Sequence, residues 1–141
     1  MRALLTHAAS LGVSVHVAHL PAPYRGFYDH QNGRVIYDFN LTPIERVGVV
    51  AHELGHVFYG HTEYGNANHE RMADLYAARL LIEPATLARL SREIPDPDEL
   101  AEELGVERRL LDVYLRTDVR RLGQRTYVRA RHGSRQFAYA E

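Results

Sequence analysis

Apolar and polar residues alternate in the first part of the chain as they do in β-strands. Between residues 13 and 18 valines take every second position, and this period of two predicts a strand. Residues 25–29 and 34–39 also favour strands, and the Asn32-Gly33 pair between them is a strong hairpin signal. We therefore expect a small antiparallel or mixed sheet of three strands.

The spacing of apolar residues changes to that of a helix after residue 42. Thr42 suits the N-cap, Pro43 the first helical position, and Glu45 the return contact of a capping box. The helix should continue to Tyr59 and end near Gly60. Its apolar background is nearly continuous, which indicates a buried helix.

Five other segments have helical character, and Gly or Pro residues mark most of their ends. They cover residues 2–11, 67–82, 85–93, 98–104 and 107–122. The remaining residues fit either a hairpin or a loose arm. We expect an α+β fold in which one domain spans residues 1–122 and a basic C-terminal arm follows at 123–141.

The composition is that of a globular protein with one hydrophobic core. The 141 residues are 45% apolar and 25% charged, and none is cysteine. A thiolate metal site is therefore excluded, and a metal would have to be held by His, Asp or Glu. No apolar run approaches the roughly 18 residues of a membrane span, and the N-terminus lacks the apolar core of a signal peptide. We expect a cytoplasmic protein without membrane contact.

Charge is distributed unevenly although the net value is −1. Residues 1–106 contain 8 arginines and 14 acidic residues, whereas residues 107–141 contain 9 arginines and 4 acidic residues. Tyrosines stand among these C-terminal arginines, and both residue types are enriched in binding hot spots. The basic segment therefore predicts a surface for an acidic protein partner, and a merely solvated tail is the simpler alternative.

The candidate chemistry lies in the sequence His52-Glu53-Leu54-Gly55-His56. Two histidines four residues apart lie about 40° apart on one helix face, so both can reach one zinc ion at about 2.1 Å. Glu53 would stand beside the open position of the metal and act as general base on water. Ordinary surface histidines are the alternative, but polar groups on a buried helix need partners, and a metal supplies them. Zinc is expected, although other divalent ions also fit.

A catalytic zinc site needs a third protein ligand and leaves one position for water. Glu70 is favoured, because Glu70 and Asp74 lie one turn apart on the next helix, where two carboxylates repel each other without a cation. Asp74 would then accept the outer N–H of a ligating histidine and orient it. His61 or Asp74 as the third ligand remains open.

Peptide hydrolysis also needs a donor for the oxyanion that forms when water attacks the carbonyl group. The side chains near the motif that could donate this hydrogen bond are His61, Tyr64, His69 and Tyr76. The sequence does not distinguish among these four candidates, and each of them fits a packing or surface role equally well.

Segments 52–56, 60–61 and 70–84 together resemble the ImmA/IrrE family of metallopeptidases. The last segment contains a Glu-x-x-Ala-Asp motif and ends in Leu-Leu-x-x-Pro. The resemblance is specific over residues 34–84 and weaker over 97–122. It implies a zincin-like fold in which a glutamate on the following helix completes the metal site, as in the gluzincins. It also implies a bacterial or phage protein that cleaves a DNA-binding repressor.

The resemblance leads us to expect a zinc-dependent endopeptidase, encoded by a phage or mobile element, that acts on a helix-turn-helix repressor. Zincins commonly hold their peptide against a sheet edge, and the strand at 35–39 is the expected edge. The alternative is a catalytically silent zincin-like module that binds a regulator protein or DNA through its C-terminal helices and arm. Residues 97–122 have the rhythm of a helix-turn-helix, but the first of these helices is acidic, so direct nucleic-acid binding is not expected.

Overall fold

The order of helices and strands follows the sequence prediction. The computed structural model of the protein describes residues 1–119. It begins with α1 (Arg2–Ser10), β1 (Ser14–Ala18), β2 (Gly26–Asp29) and β3 (Arg34–Asp38). It continues with α2 (Pro43–Tyr59), α3 (Ala67–Leu81), α4 (Pro84–Glu93), α5 (Pro97–Leu104), α6 (Arg108–Tyr114) and a π-helical turn at Leu115–Val119. The α+β prediction is confirmed, and the predicted arm at 123–141 lies outside the described residues.

The three strands form one mixed sheet with β3 in its centre. The strand order is β1-β3-β2, with β2 antiparallel to β3 and β1 parallel to it. The predicted hairpin is present, and Gly33 in its turn has a φ of 63°, which glycine adopts without strain. The expectation that residues 35–39 offer a free edge to substrate is wrong, because β3 is hydrogen-bonded to strands on both sides.

Helix α2 begins and ends as the sequence predicts. The side chain of Thr42 accepts a hydrogen bond from the backbone N–H of Glu45 at 3.3 Å, and the Glu45 carboxylate accepts one from the Thr42 N–H at 2.9 Å. Gly60 closes the helix with a φ of 70°. Leu54 is fully buried in the middle of the helix. The two caps therefore fix where this buried helix begins and ends, and the burial of Leu54 fixes its rotation about its own axis.

Two glycines allow the neighbours of α2 to approach it closely. A Cβ atom at Gly55 would lie 2.9 Å from the Cα of Ala73 on α3. A Cβ atom at Gly26, on β2, would lie 2.5 Å from Cγ1 of Val49 on α2. Distances this short exclude any larger residue unless the Ala73 backbone or the Val49 side chain shifts. Both the third helix and the edge strand are thus brought against the face of α2 that carries the candidate site.

The core consists of two apolar clusters that share α3 and α6. One joins α1, β3, α2 and α3 around Leu54, and the other joins α4, α5 and α6 around Ile82. Leu110 belongs to the first cluster, whereas the adjacent Leu111 belongs to the second. The segment 97–119 therefore packs into the core, and α6 lies between its two halves.

The final predicted helix differs from the expected one in its last turn. Regular α-helix ends at Tyr114, and the chain continues as a π-helical turn. Asp118 in this turn is 1% exposed and accepts hydrogen bonds from two N–H groups of Arg79 on α3, the shortest at 2.7 and 2.8 Å. The wider turn brings the Asp118 carboxylate to that partner. None of the helices within residues 1–119 combines the length and apolar character that crossing a bilayer requires.

Candidate metal centre

Three potential ligand atoms converge between α2 and α3. The Nε2 atoms of His52 and His56 are 3.2 Å apart. The two carboxylate oxygens of Glu70 lie 3.1 Å from the first of these nitrogens and 2.9 Å from the second. Ligands of a tetrahedral zinc ion with bonds of about 2.1 Å are separated by roughly 3.4 Å. Two imidazoles and one carboxylate at these spacings fit a divalent metal such as zinc, and they are the side chains that the sequence singled out.

The outer nitrogen of His52 contacts a charged pair. Its Nδ1 lies 2.8 Å from Oδ1 of Asp74, and the other oxygen of Asp74 lies 2.8 Å from the Arg109 guanidinium. Desolvation disfavours the charged form of each side chain, but these hydrogen bonds and the nearby charges together outweigh it. The pKa of Asp74 is consequently lowered and that of His52 is raised. The contact expected from the sequence for Asp74 is present, whereas Arg109 was not foreseen.

The outer nitrogen of His56 contacts a neutral group instead. Its Nδ1 lies 3.0 Å from Nδ1 of His61, which is 8% exposed. Burial and the adjacent ring of His69 lower the pKa of His61, and burial and the charge of His52 lower the pKa of His56. For Nε2 of His56 to bind a metal, the ring proton must be on Nδ1, and this N–H then donates to Nδ1 of His61.

Glu53 lies on α2 between the two histidines and lines the cleft beside them. Its side chain is buried, with 9% exposure. Burial raises the pKa of Glu53 to about 7; the charge of His52 partly opposes this effect, and that of Glu70 adds to it. A carboxylate with such a pKa can accept a proton from water and release it again near neutral pH.

The ligand cluster opens into a cleft of about 470 Å³. One wall is β2 with the segment before it, and the opposite wall is the loop between α2 and α3. The side chains and backbone that line these walls are Pro23, Tyr24, Arg25, Gly26, Tyr28, Thr62, Glu63, Tyr64 and Gly65. Asp74 and Arg109 also line the cleft. The cleft thus runs between a strand edge and a loop, with the candidate ligands at its base.

The four oxyanion candidates occupy different environments. His61 and Tyr64 line the cleft, and Tyr64 is 74% exposed. His69 stacks on His61 with ring centroids 3.8 Å apart and is not among the residues that line the cleft. Tyr76 lies outside the cleft, with its hydroxyl in contact with the His7 imidazole and its ring against Phe58. Of the four, the arrangement brings His61 and Tyr64 to the cleft.

Arg109 and Arg25 also line the cleft, and no pattern in the sequence predicted that either residue would lie there. Each lies far along the chain from its partner: Arg109 contacts Asp74, and Arg25 donates to Glu107 at 2.9 Å. Spacing rules connect residues within one helix or hairpin, so they do not predict pairs of this kind. The contacts arise only when α6 packs between the two apolar clusters.

Comparison with known proteins agrees with this architecture. None of the curated proteins compared with the chain matches it. A Mycobacterium tuberculosis transcriptional regulator has a similar solved structure, with a TM-score of 0.60 and 19% identity over 79% of this chain, a likeness of fold alone. The chain spans only 40% of the length of that regulator. The model of the Peptidase_M78 family, described as an IrrE N-terminal-like domain, matches residues 8–116. Because this match covers most of the chain, the protein belongs to the Peptidase_M78 family.

Proposed function

We propose that the protein is a zinc-dependent endopeptidase in which His52, His56 and Glu70 hold the metal. The observation that carries the proposal is the convergence of three ligand atoms within 4.8 Å of one another. A buried Glu53 stands beside them and lines the same cleft of about 470 Å³. Membership of a peptidase family supports the same reaction class.

Glu53 is the general base and then the general acid of the proposed reaction. Bound zinc would supply a Lewis acid that polarises the scissile carbonyl group and acidifies the attacking water. Glu53 accepts a proton from that water and afterwards delivers it to the nitrogen of the departing amine. The raised pKa of Glu53, about 7, suits both transfers near neutral pH.

Tyr64 is our candidate donor to the oxyanion. It lines the cleft on the wall opposite β2 and is exposed to an incoming peptide. Partial desolvation and the nearby charges of Glu53 and Glu70 raise the pKa of Tyr64, so the phenol keeps its proton. His61 is less suited to this task, since the Nδ1 atom of His61 is engaged with His56.

The outer edge of β2 is the proposed binding strand for the peptide. Within residues 1–119, β2 is hydrogen-bonded to β3 alone, and Gly26 and Tyr28 of this strand line the cleft. A peptide that adds to this edge runs past Glu53 and the ligand cluster, with its main chain paired to β2. This edge replaces β3, which the sequence favoured.

We also propose that the substrate is a helix-turn-helix repressor in the cytoplasm. The resemblance to ImmA/IrrE proteins supports a regulatory substrate, and the similar fold of a transcriptional regulator is compatible with it. The basic segment 107–141 remains our proposed contact for an acidic partner, and most of it lies outside the described residues. Binding of DNA by the C-terminal helices remains the competing proposal.

The test separates metal binding from proton transfer. Glu53→Gln should retain about one zinc per chain and lose cleavage of a proteome-derived peptide library by about 10²–10⁴-fold, because the amide cannot take a proton from water. Glu70→Ala should lose the zinc itself. Zinc content is measured by elemental mass spectrometry, and cleavage by mass spectrometry of the library.

Glu63→Gln is the matched control, since Glu63 lines the same cleft but its side chain is 65% exposed at the rim. It should retain both zinc and cleavage. Undiminished cleavage by Glu53→Gln would contradict the general-base role. A zinc-loaded wild-type protein that cleaves neither the library nor a candidate repressor would favour the catalytically silent module.

A further inference from the structure

A continuous line of polar contacts connects α6 to the candidate metal centre. Nδ1 of His52 lies 2.8 Å from Oδ1 of Asp74, and Oδ2 of Asp74 lies 2.8 Å from a terminal nitrogen of Arg109. The three side chains come from α2, α3 and α6. Arg109 is therefore linked to the candidate ligand His52 through the carboxylate of Asp74.

The packing of α6 fixes the backbone of Arg109, whose side chain is 50% exposed. Leu110 and Leu111, which follow it, are fully buried in the two apolar clusters. Glu107, two residues before it, accepts a hydrogen bond from Arg25 at 2.9 Å, in the segment that leads into β2. The first turn of α6 thus contacts the β2 wall of the cleft through Glu107 and the metal side through Arg109.

Asp74 requires such a partner because of what it does for His52. As a carboxylate it only accepts hydrogen bonds, so Nδ1 of His52 carries the proton and Nε2 keeps its lone pair toward the ligand cluster. The Asp74 side chain is 21% exposed, and its two oxygens contact the His52 imidazole and the Arg109 guanidinium. Without the guanidinium, nothing in the described contacts would hold its second oxygen, and the carboxylate would be free to rotate away from His52.

We propose that Arg109 is a positioning residue of the metal centre, which orients Asp74 and thereby fixes the ring and tautomer of His52 for metal binding. The inference rests on the metal site of the proposed function but not on peptide cleavage. It assigns to α6, the most distant of the three helices in sequence, a direct part in metal affinity. Arginine suits the task because the charge on its planar guanidinium is permanent and its N–H groups have fixed directions.

The experiment measures zinc affinity of the full chain by competition with a chromophoric chelator. Arg109→Met should raise the zinc Kd by about 3–10-fold, less than the 10–100-fold typical of a partner that contacts the ligand directly. Arg109→Lys keeps a charge within reach of Asp74 and should recover part of the affinity. Circular dichroism checks that each variant is folded, and the lysine variant serves if the methionine variant is not.

Arg108→Met is the matched control. Arg108 is the neighbouring residue on α6, is similarly exposed, and pairs with Asp98 and Asp112 at the surface. Its replacement should leave the zinc Kd unchanged while removing the same charge. This comparison separates positioning from a general effect of net charge on cation binding.

The decisive arm repeats Arg109→Met in an Asp74→Asn background. If Arg109 acts through Asp74, its replacement should change the zinc Kd by less than about two-fold there, since coupled residues are not additive. An undiminished effect in that background would overturn the proposal, and so would an unchanged Kd in Arg109→Met alone. A wild-type chain that binds no zinc would instead contradict the proposed function, which the assay reveals before any variant is compared.

Discussion

His52 and His56 stand one turn apart on α2 and turn the same nitrogen toward the same point, yet the groups behind them differ in charge. Behind His52 are a carboxylate and a guanidinium, Asp74 and Arg109. Behind His56 is the stacked pair of imidazoles formed by His61 and His69. Local sequence rules treat the two histidines alike, and only their outer contacts distinguish them.

The difference in charge has a consequence for each ligand. The pKa of His52 is raised, because the hydrogen bond to Asp74 and nearby acidic charges outweigh its burial, whereas the pKa of His56 is lowered by burial and by His52. A hydrogen bond to a charged acceptor is about twice as strong as one between neutral groups. We therefore expect His52 to depend on its outer contact more strongly than His56 does.

Removal of the charged contact behind His52 should change the zinc Kd more than removal of either ring behind His56. Asp74→Ala should raise the zinc Kd by about 10–100-fold, because His52 loses the acceptor that fixes its tautomer. Isothermal titration or chelator competition measures the change. Asp112→Ala is a matched control, since Asp112 is an aspartate on the surface of α6 that pairs with Arg108. An affinity equal to that of the wild type in Asp74→Ala would remove the distinction between the two sides.

Removal of the neutral contact should have a smaller effect. His61→Phe keeps an aromatic ring against His69 but removes the nitrogen that accepts from His56. A neutral hydrogen bond contributes about 0.5–1.5 kcal/mol, so the zinc Kd should rise by roughly 2–10-fold. The stoichiometry should stay at about one zinc per chain. Complete loss of zinc would instead identify His61 as a ligand, the alternative that the sequence left open.

Local rules were sufficient to predict most of the secondary structure. The capping box of Thr42 and Glu45, the terminal Gly60 and the hairpin turn at Gly33 are all present, because each depends on residues close in the chain. The strand order could not be predicted in the same way. An alternating pattern indicates a strand but not its neighbours, and the central position of β3 depends on where the connection over residues 19–25 leads.

The candidate site likewise combines features that local sequence spacing predicts with features that only tertiary packing produces. The spacing of His52 and His56 brings both rings to one face of α2, and the spacing of Glu70 and Asp74 brings both carboxylates to the facing side of α3. The outer contacts with His61 and Arg109 depend instead on a loop and on the packing of α6. Sequence spacing therefore indicated the candidate ligand set, whereas tertiary packing determines which partner contacts each candidate ligand.

Replacement of His69, the outer ring of the stacked pair behind His56, should have the smallest effect on the zinc Kd. It contacts His61 face to face, with an angle of 5° between the rings. Its buried Nδ1 lies 4.0 Å from a carboxylate oxygen of Glu63 and has no hydrogen-bond partner within the described residues. His69→Phe should therefore preserve the stack and change the zinc Kd by less than about two-fold. Because an unpaired buried polar atom costs free energy, the metal-free protein should be as stable as the wild type or about 0.5–1 kcal/mol more stable. Urea unfolding with chelator present measures that stability, and His69→Ala, which removes the ring, should lower it. A rise of several-fold in the zinc Kd of His69→Phe would mean that His56, like His52, depends on a series of polar contacts behind it. The two histidines would then differ only in how strongly they depend on those contacts.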